Sequence, residues 1–457
     1  MKTNTTIKLE PISTHEGGHA VRQPAEVELR RAVSTCLLWE DTFYEKGSAV
    51  AARIADLCTK VKPEVVASLA REARTDLKLR HVPLYLALHL IKCHSPLTRG
   101  VITDVVQRPD EMGELLALYW KDGRIPIAAQ LKRGLAQAFT KFNAYNLAKW
   151  NKDATIKLRD VMFMAHPKPI DAEQAATWRK LVDGTLESPD TWEVALSAGK
   201  DKKATWERLL SEGKLGDMAL LMNLRNMSQV NVNPILIKER LAQWSSKSVA
   251  LPFRFIAAAQ AAPDFEDALG LAIVQSLSSQ AKLQGRTLFV IDVSGSMNGT
   301  LSTKSMMTRI DAACGLAMLI REVCEEPVIY ATAGNDYAQT HATEKVPPRH
   351  AFALRDAIQA KYNKLGGGGI FCHQALTYIQ KAETKPFDRI ILITDEQDCD
   401  SNKARKMSNA PLKGTYNYLL NVASYKPGLD VNGGWIRING WSERVIDWVR
   451  HNEGGRQ

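Results

Sequence analysis

Long apolar runs are absent. The most hydrophobic stretches, Val82 to Ile91 and Phe255 to Ala262, are interrupted by His or Gln. Both fall short of the roughly 20 residues a membrane-spanning helix needs, so a helical membrane protein is excluded. Met1 to Glu10 mixes Lys with Thr and has no apolar centre, so no secretory signal is expected. Cysteine is sparse. Cys36, Cys58, Cys93, Cys314, Cys324, Cys372 and Cys399 are odd in number, scattered and without a Cys-x-x-Cys pair, which argues for reduced thiols in the cytoplasm. Between Ala25 and Ala281 apolar and polar residues almost never alternate, so strands are not expected there.

What is present is a chain of 457 residues, 45% hydrophobic and 24% charged, with the composition of a globular protein of more than one core. Its formal net charge of +10 favours an acidic partner, because a basic surface concentrates polyanions. Residues 1–24 are polar, carry Gly17-Gly18, show no period and are predicted to form a mobile arm. His15 and His19 have helical ligand spacing, but the glycines between them disfavour a helix, so a solvated tail is expected. From Ala25 onward apolar residues recur every three or four positions. Val50, Ala51, Ile54, Leu57 and Cys58 make one stripe, and Val65, Val66, Leu69, Ala70 and Ala73 another. Proline at Pro63, Pro96, Pro126, Pro167, Pro234 and Pro252 punctuates these blocks. Many short amphipathic helices without strands bury their stripes by stacking on one another, which predicts a helical-repeat domain over residues 25–283.

The texture changes at residue 284. Thr287 to Asp292, Val328 to Thr332, Ile390 to Thr394, Tyr418 to Val422 and Trp435 to Ile438 read as strands alternating with helices, which predicts a mostly parallel sheet over 284–457. The first strand runs into Asp292-Val293-Ser294-Gly295-Ser296-Met297, and another ends in Thr394-Asp395. Two carboxylates and two hydroxyls at one sheet edge are hard oxygen donors suited to Mg²⁺. This pattern resembles the metal-ion-dependent adhesion site of von Willebrand A domains. The resemblance implies Asp292, Ser294, Ser296 and Asp395 as ligands of a divalent cation, with Gly368 standing where the family has a threonine. One ligand is then missing and weak binding is expected. The run Gly366 to Gly369 is followed by Ile370-Phe371 and not by Lys-Ser/Thr, so it is no phosphate loop. No nucleophile, acid and base assemble in the sequence, and no enzyme activity is expected.

Residues 130–168 hold eight basic side chains, Lys132, Arg133, Lys141, Lys149, Lys152, Lys157, Arg159 and Lys168, against only Asp153 and Asp160. Phe142, Tyr145, Trp150 and His166 are interleaved, so phosphate neutralisation and flat stacking surfaces occur together. Any one aromatic here also reads as core, Trp150 and Phe142 above all. The segments Gln130 to Leu135, Leu147 to Trp150 and Leu158 to Pro169 resemble the TROVE module in its Ro form, and a helical TROVE region followed by an A domain is the Ro arrangement. That resemblance implies a HEAT-like helical ring joined to a Rossmann-like α/β A domain. It further implies binding of small noncoding Y-like RNAs and of the single-stranded ends of misfolded RNAs. Lys149 and His166 fall on RNA-contacting positions of the family motif; Asp153 stands where the family can carry a basic residue, with Lys152 and Lys157 beside it. The RNA-binding set expected is Lys132, Arg133, Lys149, Lys152, Lys157, Arg159, His166 and Lys168, in a cytoplasmic monomer. The competing expectation is a scaffold whose A domain grips a partner's carboxylate through the metal, without RNA.

Overall fold

The computed structural model describes residues 11–35, 38, 40–42, 45–151, 153–197, 199, 201–244, 252–278, 280–365, 367–402, 404–423, 425, 429, 434–440 and 444–454. They fall into two compact units, one made of residues 1–53 with 216–457 and the other of residues 54–215.

The chain opens with the antiparallel hairpin β1 (Pro11–Ser13) and β2 (His19–Val21), followed by α1 (Ala25–Thr35) and α2 (Gly47–Lys60), the helix that crosses between units. The second unit then continues through α3 (Pro63–Thr75), α4 (His81–Lys92), α5 (Thr98–Val105), α6 (Asp110–Tyr119) and α7 (Ala129–Phe139). It ends with α8 (Ala144–Trp150), α9 (Leu158–Ala165), α10 (Ala172–Asp183), α11 (Trp192–Ser197) and α12 (Lys202–Ser211). Of the stripe read in the sequence on α3, Val66, Leu69, Ala70 and Ala73 are buried and Val65 is half-buried; α7 buries Leu131, Leu135, Ala138 and Phe139. α5 and α7 pack closely because Gly134 has no side chain; a Cβ there would stand 2.8 Å from Ile102 Cβ. Helix stacks on helix from α3 to α10, each contacting neighbours one or two steps along the chain, as expected of repeats.

The first unit resumes with α13 (Asp217–Gln229), α14 (Pro234–Ala242), α15 (Pro252–Ala261) and α16 (Glu266–Leu277), then enters the sheet. Its strands are β3 (Leu283–Asp292), β4 (Cys324–Asn335), β5 (Thr340–Val346), β6 (Arg389–Thr394), β7 (Tyr416–Asn421) and β8 (Trp435–Asn439), in the order β5-β4-β3-β6-β7-β8. All neighbours are parallel except β4 and β5. The covering helices are α17 (Arg309–Glu322), α18 (Ala351–Leu365), α19 (Cys372–Ala382) and α20 (Arg444–Gly454). Leu288, Val290, Ile390, Leu392 and Leu419 meet α19 through Leu376 and Ile379 on one face. Tyr418, of opposite parity, meets Trp448 of α20. Helical stacking continues across residue 284, since α15 and α16 pack on α17, and Gly270 of α16 lets Ala351 and Phe352 of α18 approach.

Residues 11–24, predicted to form a mobile arm, are instead built into the first unit. Thr14 Oγ1 donates to the Asp398 carbonyl (2.6 Å), and His15 N donates to Gln397 Oε1 (2.9 Å). Gly18 lies so close to that carbonyl that a Cβ would come within 1.9 Å of it. Residues 1–10 lie outside the described residues. Arg31 of α1 completes the attachment. Its guanidinium pairs with Glu396 (3.1 Å), which also takes Arg437 of β8 (2.7 Å) and the Leu429 amide (3.0 Å). Burial raises the Glu396 carboxyl, but Arg31 and Arg437 outweigh it, and the net shift is downward. Among the described residues no helix is long and apolar enough to cross a membrane.

Candidate nucleic-acid interface and A-domain site

The basic segment is distributed over three helices of the second unit. Lys132 and Arg133 lie on α7, Lys132 half-buried at the flank of the buried face and Arg133 exposed on the opposite side. α8 is started by Asn143, whose side chain accepts the Asn146 amide (2.9 Å). On this helix Lys149 stands one turn after Tyr145, with its ammonium 5.9 Å from the Tyr145 ring centre and 5.6 Å from that of Trp150. Tyr145 is 50% exposed. Trp150 is half-buried, and the Arg108 guanidinium covers one ring face at 3.4 Å while hydrogen-bonding Asp110. Phe142 is core, 4% exposed.

α9 sorts its residues by face. Leu158, Val161 and Ala165 are buried; Arg159, Phe163 and His166 recur at four and three residues on the outside. Phe163 is 56% exposed in mid-helix, where an ordinary apolar stripe would bury it. His166 ends the helix in the left-handed region (φ 51°, ψ 54°), so its ring leaves the helix at a fixed bend. Lys168 follows, exposed, with Ile170 at 71%. Lys157 pairs with Asp153 (2.8 Å) and Arg159 lies 3.8 Å from Asp160, all at the surface, where water leaves such pairs weak and easily exchanged for phosphate. Lys152 lies outside the described residues. Lys141 has a structural task. Its ammonium donates to the Val106 carbonyl (2.5 Å) at the end of α5, where the helix dipole favours a cation. A cleft of about 280 Å³ opens beside α8, lined by Tyr145, Thr177, Lys180, Leu186 and Ser188.

In the sheet domain, Asp292, Ser294, Ser296 and Asp395 converge at the C-terminal edge of β3 and β6. Asp292 Oδ1 accepts the Ser294 amide (2.9 Å) and Oδ2 accepts Thr394 Oγ1 (2.6 Å), while the Ser294 and Ser296 hydroxyls are 3.2 Å apart. Both carboxylates are fully buried, and burial, then the Asp395 charge, pushes the Asp292 carboxyl upward. The donors match a hard cation in type, yet their surroundings do not. Arg309, 3% exposed, places Nη1 3.4 Å from Asp395 Oδ2 and 2.9 Å from the Ser296 carbonyl. The glycine loop presents backbone: the Gly295 amide donates to the Gly368 carbonyl (3.1 Å). A Cβ on Gly368 would lie 2.0 Å from the Gly334 carbonyl oxygen, so the threonine of the family pattern has no room there.

Comparison with known proteins cuts across this division. Residues 169–363 match the TROVE domain family, a span that begins at the end of the basic segment and runs through the first two central strands. The crystal structure of the Ro (RSR) protein of Deinococcus radiodurans is similar, with a TM-score of 0.57 and 17% identity over 94% of this chain and 100% of that one. An aerotolerance-related membrane protein from Bacteroides fragilis matches with a TM-score of 0.27 and 12% identity, over 38% of this chain and 100% of that one. No curated protein matches the sequence. The chain thus carries a TROVE match over residues 169–363 and shares the fold of a Ro protein over nearly its whole length.

Proposed function

We propose that this Ro-type, RNA-binding protein takes up small noncoding RNAs and the single-stranded ends of misfolded RNAs on the outer face of α8 and α9. The carrying observation is that face of α9. An exposed phenylalanine stands between an arginine and a histidine at helical spacing, with Lys168 just beyond, so phosphate contacts flank a stacking surface. Single strands are bound in this way, by neutralised backbone and bases laid on aromatic rings. Tyr145 and Lys149 offer the same pairing on α8, and the cleft beside Tyr145 has the size and mixed lining to receive one unstacked base. Duplex RNA, whose bases are already stacked, cannot use the rings, so free ends are preferred.

The test is fluorescence anisotropy with an end-labelled single strand and a blunt duplex. The double variant Lys149→Ala with His166→Asn is used because asparagine tolerates the left-handed backbone that alanine resists. It should bind the single strand at least tenfold more weakly and keep its far-UV spectrum. Unchanged affinity in the folded double variant would move the RNA site elsewhere.

A further inference from the structure

We propose that Arg309 is the resident cation of the Asp292–Ser294–Ser296–Asp395 site, and that the A-type domain is built to work without a divalent metal. Three independent features converge on this reading. A buried arginine at the first position of a helix opposes the helix dipole and needs anionic compensation. Thr308 caps α17 through a reciprocal pair with Asp311, and Arg309 turns inward to Asp395 and the Ser296 carbonyl. Of the two buried carboxylates, Asp395 therefore faces a guanidinium, a positive charge of the kind that a metal would otherwise supply.

The second feature is the glycine loop. It is drawn against the Ser-Gly-Ser turn, since a Cβ on Gly295 would lie 2.3 Å from the Gly367 carbonyl oxygen. A side chain at Gly368 would collide with the Gly334 carbonyl, so that position adds no third hydroxyl to the two serines, and Mg²⁺, which demands nearly ideal octahedral geometry, would have one fewer protein ligand there. The third is the loop that follows Asp395. The chain's own hairpin is seated on residues 397 and 398, two and three positions further on, through Thr14 and His15. A metal that docks partners needs an open position facing solvent; here both carboxylates and Ser294 are buried, the turn reaches solvent only at Gly295 and half-buried Ser296, and the following loop is already engaged. The consequence is chemical. No partner carboxylate is gripped through a bound ion, and the competing scaffold function loses its instrument.

The full-length protein, stripped with chelator, is titrated with Mn²⁺ by electron paramagnetic resonance and with Mg²⁺ by calorimetry, and its melting is followed with and without each ion. The wild type should show no saturable binding in the millimolar range and an unchanged melting temperature. Arg309→Gln leaves the two carboxylates facing each other; it should melt several degrees lower and recover when Mn²⁺ or Mg²⁺ is added. Arg309→Lys, which keeps the charge, should remain insensitive to metal. Saturable binding of either ion to the wild type overturns the proposal, as does an Arg309→Gln variant that melts early and responds to neither ion. Should Arg309→Gln fail to fold, the wild-type titrations decide alone.

Discussion

Gly368 shows how a single missing Cβ redirects a site. In the pattern of the A-domain family its position carries a hydroxyl, so the obvious repair is Gly368→Thr. The main chain forbids it, because the new Cβ would stand 2.0 Å from the Gly334 carbonyl oxygen, a backbone atom that cannot swing aside. The variant should lose about 1–3 kcal/mol, the usual cost of overpacking, and gain no Mg²⁺ affinity. Thermal melting and calorimetry check the two halves; a stable variant that binds Mg²⁺ would show that the loop opens easily. Strain at Glu396 follows the same logic. This residue holds φ 62° without being glycine, tolerated because Arg31, Arg437 and the Leu429 amide all fix its carboxylate.

At the scale of elements, α4 carries a pH-dependent weakness. Val82 to Leu88, Leu90 and Ile91 are buried, and His89 lies among them with Nε2 enclosed and unbonded and its ring edge-on to Tyr85. Burial, and secondarily Lys92, pushes the imidazole down to about 4. A depressed pKa means that the unfolded chain takes up the proton first. The stability is therefore full above the ordinary histidine value of about 6.5 and is lost as pH falls from there toward 4. Replacing His89 with Phe keeps the edge contact and removes the proton site, so melting between pH 7 and pH 5 should fall less steeply than in the wild type. Equal slopes would dismiss the argument. The helices themselves were legible because stripes such as Val66–Leu69–Ala70–Ala73 are both periodic and buried. The central strands were legible as apolar runs. β5 was not: Thr-His-Ala-Thr-Glu-Lys-Val is a polar edge strand, held by β4 and by the Thr332–Thr343 hydroxyl pair (2.8 Å). The hairpin at residues 11–21 was missed for a related reason, since polar residues with two glycines read as tail unless the surface they pair with is known. In the A-domain site the four oxygen donors were legible as a local motif. Arg309 was not, because its inward turn depends on where two other loops lie, and Phe163 was hidden among apolar neighbours that are core on the other side of α9.

Over the whole molecule, 60 basic side chains against 50 acidic ones leave a modest charge of +10, yet residues 130–168 alone carry an excess of six. A polyanion is drawn to that concentration, and each phosphate it places there releases a counterion. RNA affinity should therefore fall with salt, with a log-log slope of about −0.7 for each phosphate contact made by a single strand. Charge and stacking then separate experimentally. Arg159→Ala removes a phosphate partner from the exposed face of α9, so affinity falls and the slope becomes shallower by about 0.7. Phe163→Ala removes only a ring, at a cost of about 1–3 kcal/mol for one stacked base, and the slope should stay as it was. Both side chains point to solvent, so neither change should move the melting temperature appreciably. Binding titrations from 50 to 300 mM salt, an interval chosen as roughly the range over which counterion release dominates, read both parameters at once. If Phe163→Ala altered the slope as much as Arg159→Ala, the ring would be acting on the charged face as a whole. If neither variant changed affinity, α9 would not be the surface that RNA meets.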